Sequence, residues 1–215
     1  MKIEIKNLTK VLGGNTVVDN VNITMESGTV YGLCGYNGCG KTMLMRLIAG
    51  LIIPTKGSVS YDGKTLGKQL DFPPSIGILI ENPAFLDSRS GFDNLKLLAS
   101  IKGKVDKKTI ASSIRKVGLD PDDKKKFRKY SLGMKQRLGI ASAIMESPDL
   151  IILDEPTNAL DSNGVELTQK LIRKECERGA LVIMTCHDRE ILENVCDVIY
   201  TIEHGKIIDE RSCQR

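Results

Sequence analysis

The chain has 215 residues, and its 31 Lys and Arg against 27 Asp and Glu give a formal net charge of +4. This length suits one α/β core with a small second lobe, and the nearly balanced charge does not demand an acidic partner. No apolar run approaches the roughly 18 residues of a membrane span. The first residues alternate polar and apolar, which predicts a strand and not a signal peptide. The six cysteines show no metal-ligand spacing, so we expect free thiols in a reducing cytosol.

Strands come first along the chain. Residues 2–8 and 17–25 are predicted to pair as antiparallel strands around a turn at 13–15, where two glycines precede an asparagine. The elements predicted after this pair are a strand at 29–34, a helix at 41–50, and short strands at 58–61 and 76–80.

The segment between strand 29–34 and helix 41–50 reads GYNGCGKT, a phosphate-binding loop. Its glycines let backbone N–H groups curl around phosphate oxygens. Lys41 supplies a cation for the β- and γ-phosphates, and Thr42 offers a hydroxyl to Mg²⁺. The positive end of the following helix points at the anion. The residues predicted to bind nucleotide here are Gly35, Asn37, Gly38, Cys39, Gly40, Lys41, Thr42 and Met43.

Residues 84–146 change to helical periodicity. Phe92, Leu95 and Leu98 lie three residues apart and predict the first helix of this segment. The other two predicted helices lie around 110–117 and from about 131 to 145.

Continuously apolar strands return after residue 147. The predicted elements are strands at 150–153 and 180–186, helices at 163–178 and 189–195, and terminal strands at 197–203 and 206–209. Apolar strands that alternate with helices predict a parallel sheet. We therefore predict one α/β domain with a P-loop NTPase core (1–83 and 147–215), which includes an N-terminal antiparallel β subdomain. The α-helical insert (84–146) forms a smaller subdomain.

Three acidic residues and one histidine follow predicted strands and join the phosphate loop at the carboxyl edge of the sheet. Asp154 is predicted to hold Mg²⁺, and Glu155 can face an attacking water. Alternatively, the two acids only cap the following turn. Glu81 follows the predicted strand at 76–80, and His187 follows the one at 180–186. Both residues are therefore expected at the same site.

The sequence resembles the nucleotide-binding subunits of ABC transporters over nearly its whole length. The most specific segment is YSLGMKQR at 130–137, an altered form of the family signature, and Ala159-Leu160-Asp161 matches the D-loop. His187 matches the switch histidine. The resemblance implies that two subunits close head to tail over two ATP molecules. Ser131 and Gly133 of one would contact the γ-phosphate held by Lys41 of the other.

The resemblance also implies roles and partners. Lys41, Glu155 and His187 would be catalytic, with Glu155 orienting or deprotonating the water and His187 contacting the γ-phosphate. ATP and Mg²⁺ are the implied cofactors. The implied partners are a separate integral-membrane subunit and a second ATP-binding subunit, with no nucleic acid. The implied location is cytoplasmic, peripheral on the inner face of the cell membrane.

The signature variant, together with IENPAF at 80–85, resembles exporters of bacteriocins and peptide antibiotics. The competing hypothesis is a soluble ABC-type ATPase that acts on DNA or ribosomes. However, the insert is too short for a long coiled coil, and the chain carries one ATPase half. A nucleotide kinase would leave the signature, Asp161 and His187 unexplained.

Four departures from the family pattern give further hypotheses. Glu81 stands in place of the Q-loop glutamine, as a metal ligand or only as a cap of the next turn. Leu12 stands where an aromatic usually stacks on adenine, so weak discrimination between ATP and GTP is expected. Cys39 should be a reactive thiolate whose alkylation blocks ATP binding. The basic run at 124–129 is most simply a solvated surface, with nucleic acid or anionic lipid as alternatives.

Overall fold

The computed structural model describes residues 1–213, so the last two residues of the predicted core segment 147–215 lie outside the description. Ten strands form two sheets. Their bounds are β1 Lys2–Leu12, β2 Asn15–Glu26, β3 Val30–Cys34, β4 Lys56–Tyr61, β5 Lys64–Thr65, β6 Ile76–Leu79, β7 Leu150–Leu153, β8 Leu181–Thr185, β9 Val198–Glu203 and β10 Lys206–Ser212.

The smaller sheet is antiparallel, with strand order β2-β1-β4-β5. Strand β1 lies between β2 and β4 and buries Ile3, Ile5 and Leu8 on one face. Alternate burial along β1 and β2 reflects the period of two in a half-buried strand. The predicted N-terminal pair is therefore confirmed, with longer strands than the sequence suggested.

The larger sheet has the order β10-β9-β3-β8-β7-β6, and its strands are parallel except for β10. Every residue of β7 and β8 is buried, as expected for strands covered on both faces. The carboxyl ends of β3, β8 and β7 lie side by side, so the loops that follow these strands meet at one edge. This arrangement confirms the predicted α/β fold with a parallel core sheet.

Residues 1–213 form six helices around the sheets, at the positions that the sequence predicted. Their bounds are α1 Lys41–Ile48, α2 Gly91–Lys102, α3 Lys107–Lys116, α4 Leu132–Ile144, α5 Ser162–Glu177 and α6 Arg189–Val195. The side chains of Ser90, Asp106, Ser131, Asp161 and Asp188 cap α2 to α6 by accepting backbone N–H groups of the first turn. Within residues 1–213, no helix combines the length and apolar character needed to cross a bilayer.

The chain between β6 and β7 contains α2, α3, α4 and a short 3₁₀ turn at Phe127–Lys129. Helix α4 packs directly on β6, because a Cβ at Gly77 would lie 1.7 Å from the main-chain oxygen of Ala143. Leu95 is fully buried, but Leu98 is 37% exposed. The apolar residues spaced three apart in α2 therefore do not all lie in the core.

The basic run at 124–129 is exposed except at its aromatic residue. Phe127 is buried, with its ring 5.2 Å from that of Phe85 and 5.7 Å from that of Tyr130. The run is therefore a charged surface held down by one aromatic anchor, rather than fully solvated.

Candidate active site

The phosphate loop joins β3 to α1 at the carboxyl edge of the core sheet. Gly35 and Gly40 adopt φ angles of +146° and +114°, which favour glycine. A Cβ at Gly35 would lie 2.3 Å from the main-chain oxygen of Ile202, and one at Gly40 would lie 2.5 Å from that of Val17. Both positions are therefore restricted to glycine by backbone that already lies behind the loop.

A cavity of about 370 Å³ opens beside this loop, and we call it the phosphate cavity. It combines loop residues with acidic residues and a histidine that the sequence had predicted at the same edge. The residues that line it are Val17, Asn37, Gly38, Gly40, Lys41, Thr42, Met43, Asp154, Glu155 and His187. Three strand ends thus bring these side chains together, as the parallel topology predicts.

The Lys41 side chain is a buried cation at this cavity. Lys41 is only 7% exposed, and its Nζ donates to the main-chain oxygens of Gly35 and Tyr36 at 2.7 and 3.1 Å. The third N–H of the ammonium group has only a long contact to the Cys39 sulfur, at 4.0 Å, so it can turn to a stronger acceptor in the cavity. A buried positive charge at a cavity wall favours an anionic ligand.

Thr42 and Asp154 meet across the cavity. The Thr42 hydroxyl donates to Oδ2 of Asp154 at 2.8 Å, and the Thr185 hydroxyl donates to Oδ1 at 2.6 Å. Thr185 in turn accepts the backbone N–H of Glu155 at 2.8 Å. A hydroxyl and a carboxylate at this separation supply the oxygen ligands that Mg²⁺ prefers, so the residues present fit that ion.

Glu155 and His187 form the outer part of the cavity wall. His187 Nε2 lies 3.3 Å from Oε1 of Glu155, while Oε2 is buried and has no hydrogen-bond partner among residues 1–213. Burial raises the pKa of the Glu155 carboxyl, and the charge of Asp154 raises it further, while His187 opposes both. A carboxyl with a raised pKa and a free oxygen is suited to accept a proton.

Glu81 is not among the residues that line the phosphate cavity. Its carboxylate is 64% exposed and pairs with Arg46 of α1, with 2.5 Å between Oε1 and Nη2. No cap of the following turn by this side chain occurs among residues 1–213. The metal-ligand role of Glu81 therefore stays a prediction that requires its release from Arg46.

Cys39 is inside the loop but does not line the cavity. Its side chain is 1% exposed, and its sulfur lies 4.0 Å from Nζ of Lys41. A thiol with this burial is shielded from alkylating reagents, so the block of ATP binding by alkylation of Cys39 stays a prediction that requires the loop to open first. Gly35 also lies behind the cavity, where it shapes the loop without lining it.

The signature residues lie in a second depression of about 710 Å³, which we call the signature hollow. Ser131 caps α4 by accepting the N–H of Met134 at 3.2 Å. The hollow shares no lining residue with the phosphate cavity. Its lining residues are Gly118, Leu119, Asp120, Ser131, Leu132, Gly133, Met134, Arg137, Ala159, Leu160 and Asp161.

A family model described as "ABC transporter" matches residues 18–158, which include the phosphate loop, the signature residues Ser131 and Gly133, and Asp154. The chain belongs to the ABC transporter family. It is an ATP-binding subunit with ATPase activity, as the sequence resemblance predicted.

Three relatives with high sequence identity are also ABC ATP-binding proteins. The uncharacterised ABC transporter ATP-binding protein YybJ of Bacillus subtilis (strain 168) is 47% identical over 205 residues, which cover 95% of this chain and 94% of YybJ. The bacitracin transport protein BcrA of Enterococcus faecalis is 40% identical over 97% of this chain and 68% of its own length. The lantibiotic transport protein SrtF of Streptococcus pyogenes is 39% identical over 97% and 90%.

Solved structures of ABC cassettes share the fold. The dimeric post-hydrolysis state of the cassette MJ0796 bound to ADP and Pi superposes with a TM-score of 0.88 over 99% of both chains, at 24% identity. No support for the alternative of an ATPase acting on DNA or ribosomes comes from these similarities.

Three side chains of this ABC ATPase have contacts that sequence reasoning did not assign. Thr185 holds Asp154, Gln136 Nε2 donates to the main-chain oxygen of Glu155 at 2.9 Å, and Arg137 pairs with Asp161 at 2.7 Å. Thr185 could have been found, because pairing Leu153 with Met184 in the parallel ladder puts the next residues of both strands side by side.

Proposed function

We propose that this ABC ATPase powers the export of a peptide antibiotic through a separate integral-membrane partner. The support is the similarity to BcrA and SrtF, whose names assign them to bacitracin and lantibiotic transport. In this proposal the ATPase lies in the cytoplasm, on the inner face of the cell membrane. Residues 84–146 would act as the helical subdomain, and residues 1–83 with 147–215 as the core.

We further propose that two ATP-binding subunits act as a head-to-tail pair. The observation that carries this step is the separation of the phosphate cavity from the signature hollow on one chain. Ser131 lies in the signature hollow at the N-terminus of α4. The backbone N–H groups at this helix end favour an anion. A second subunit would bring this terminus, with Gly133, to a phosphate held at Lys41 of the first.

The nucleotide would be held mainly by the phosphate loop. Lys41 would exchange its bonds to the loop carbonyls for phosphate oxygens, which keeps the buried charge compensated. Thr42 and Asp154 would hold Mg²⁺, which when bound neutralises charge on the triphosphate. The backbone of the remaining loop residues would lie close to the phosphates, including that of Asn37 and Met43.

Glu155 would act on the attacking water. Water oxygen forms the new bond to the γ-phosphorus, the bond from that phosphorus to the oxygen of ADP breaks, and the proton passes to the Glu155 carboxylate. The unpartnered Oε2 can accept this hydrogen, and the Gln136 side-chain amide, which donates to the Glu155 main-chain oxygen, holds the residue in place. His187, 3.3 Å from Oε1, would keep the carboxylate oriented and reach toward the γ-phosphate.

The pairing step is tested with Glu155→Gln, which keeps the shape of the side chain and removes the base. With Mg²⁺ and ATP, the variant is expected to elute as a dimer in size-exclusion chromatography, while ADP leaves it monomeric. The matched control is Glu166→Gln, an exposed change on α5. A variant that stays monomeric at saturating ATP, with ATP binding measured directly, would contradict the pairing.

The export step is tested in a bacterial host that lacks the gene. Wild-type protein and Glu166→Gln are expected to restore resistance to bacitracin or to a lantibiotic, whereas Glu155→Gln is not. A polytopic membrane protein should copurify with all three. Equal sensitivity of all strains to both antibiotic classes would remove the proposed substrate class without touching the ATPase activity.

A further inference from the structure

The turn between β9 and β10, at residues 203–206, contacts both arms of the phosphate loop. The N–H of Gly205 donates to the main-chain oxygen of Cys39 at 2.8 Å, near the end of the loop. His204 reaches Tyr36 at the start of the loop. Neither the sequence motifs nor the active-site residues described above assign a role to this turn.

Tyr36 and His204 are joined by two hydrogen bonds and a ring contact. The backbone N–H of His204 donates to the Tyr36 hydroxyl oxygen at 3.1 Å, and that hydroxyl lies 2.9 Å from Nδ1 of the imidazole. With Nδ1 unprotonated, the hydroxyl donates its own proton to the ring. The two rings meet edge to face, with centroids 5.5 Å apart, a favourable aromatic geometry.

The main chain of Tyr36 makes hydrogen bonds within the phosphate loop. Its carbonyl oxygen accepts the N–H of Cys39 at 3.2 Å and Nζ of Lys41 at 3.1 Å. Fixing the Tyr36 side chain therefore limits the motion of the peptide that orients both the loop and its lysine.

The turn is itself fixed to the smaller sheet. The N–H of Asp19 in β2 donates to the Gly205 carbonyl at 2.8 Å, and Lys206 Nζ lies 3.3 Å from the Asp19 carboxylate. His204 has a φ of +47°, in the left-handed region. The turn is thus a rigid support between two sheets rather than a free hairpin end.

We propose that His204 is a positioning residue for the phosphate loop, acting through Tyr36 to hold the loop ready for the nucleotide phosphates. A loop that is ordered before binding loses less conformational entropy when the ligand arrives. Once phosphate is bound, its own contacts order the loop. Loss of the Tyr36–His204 contact should therefore weaken nucleotide binding and leave the chemical step almost unchanged. The inference depends on ATP binding at this loop.

The test uses three variants and one control. Tyr36→Phe removes only the hydroxyl, and His204→Gly removes the ring while tolerating the left-handed backbone. His204→Asn tolerates the same backbone and keeps a side-chain acceptor near the position of Nδ1. The control is Glu203→Gln, an exposed change in the same turn. Affinity for Mg·ATP is measured by calorimetry, alongside KM and kcat for ATP hydrolysis and the Tm of each variant.

Tyr36→Phe and His204→Gly are each expected to raise Kd and KM about two- to tenfold, the range of one net hydrogen bond, while kcat changes by less than about twofold. The double variant should be no weaker than the worse single variant, because both remove one contact. His204→Asn should recover most of the affinity, and Glu203→Gln should match wild type.

Two results would overturn the inference. If Tyr36→Phe binds Mg·ATP with wild-type affinity, the contact has no role in binding. If the losses of affinity in the double variant are additive, the two residues act separately. If wild-type protein itself fails to bind Mg·ATP, the proposed function fails as well, so the two failures can be told apart.

Discussion

Arg46 and Glu81 form an ion pair between the helix after the phosphate loop and the loop after β6, with 2.5 Å between Nη2 and Oε1. This pair keeps the Glu81 carboxylate, which the sequence suggested as a metal ligand, away from the cavity. Glu81→Gln should therefore raise the Mg²⁺ concentration needed for half-maximal ATP hydrolysis, and Arg46→Gln should lower it. An exposed pair is worth about 0–1 kcal/mol, so the shift for Arg46→Gln is at most about fivefold. Identical Mg²⁺ titrations for wild type and Glu81→Gln would remove Glu81 from the metal site.

Glu155 should control turnover without controlling binding. Glu155→Gln is expected to lower kcat about 10²- to 10⁴-fold, the usual contribution of a positioned base, with the Kd for Mg·ATP little changed. Steady-state phosphate release and calorimetric binding measure the two quantities separately. Turnover near the wild-type rate in this variant would assign the base role elsewhere, and Glu166→Gln provides the matched control.

The raised pKa of Glu155 gives a stability prediction. As pH rises, the unfolded chain loses this proton first, because burial raises the pKa of the Glu155 carboxyl in the folded state. Folding stability therefore falls between the ordinary glutamate pKa of about 4.3 and the raised folded value, and the loss persists above it. Glu155→Gln should thus have a higher Tm than wild type at pH 8, and the difference should shrink toward zero near pH 4. Thermal unfolding across this range is the measurement, and a Tm difference independent of pH would contradict the assignment.

Leu12 should give this ATPase little preference between purine bases. Its side chain is 42% exposed at the end of β1 and offers no ring for stacking. Kd values for ATP and GTP are therefore expected to agree within about threefold, and Leu12→Tyr should tighten both by about two- to tenfold, from an aromatic contact of 0.5–1.5 kcal/mol. A large ATP preference in the wild-type protein would show that other residues read the base.

The sequence alone was sufficient to predict which strand ends and which loop form the site. Asp154, Glu155 and His187 each follow an apolar strand, and parallel strands place their carboxyl ends at one edge. Their convergence needed only the order of the elements. The phosphate loop was equally predictable, since its glycines and Lys41 define the motif without tertiary information.

Side-chain partners and burial depended on tertiary contacts. The pairing of Glu81 with Arg46 joins a loop to a helix 35 residues away in the chain, and no local pattern encodes it. Cys39 is buried because it belongs to a hydrophobic core cluster that includes the strand residues Leu33 and Ile202. Leu98 is exposed because a helix turns about 100° per residue, so residues spaced three apart drift off one face within two steps.

Gly35 and Gly40 are constrained from the rear of the loop, by the carbonyls of Ile202 in β9 of the larger sheet and Val17 in β2 of the smaller sheet. Even a methyl group at either position would force a sheet to shift, whether or not a nucleotide is present. A descendant of this protein that had lost hydrolysis could accordingly abandon Lys41 and Glu155 yet still retain both glycines. Their persistence in an inactive paralogue would record the architecture of the scaffold, and not the survival of its chemistry.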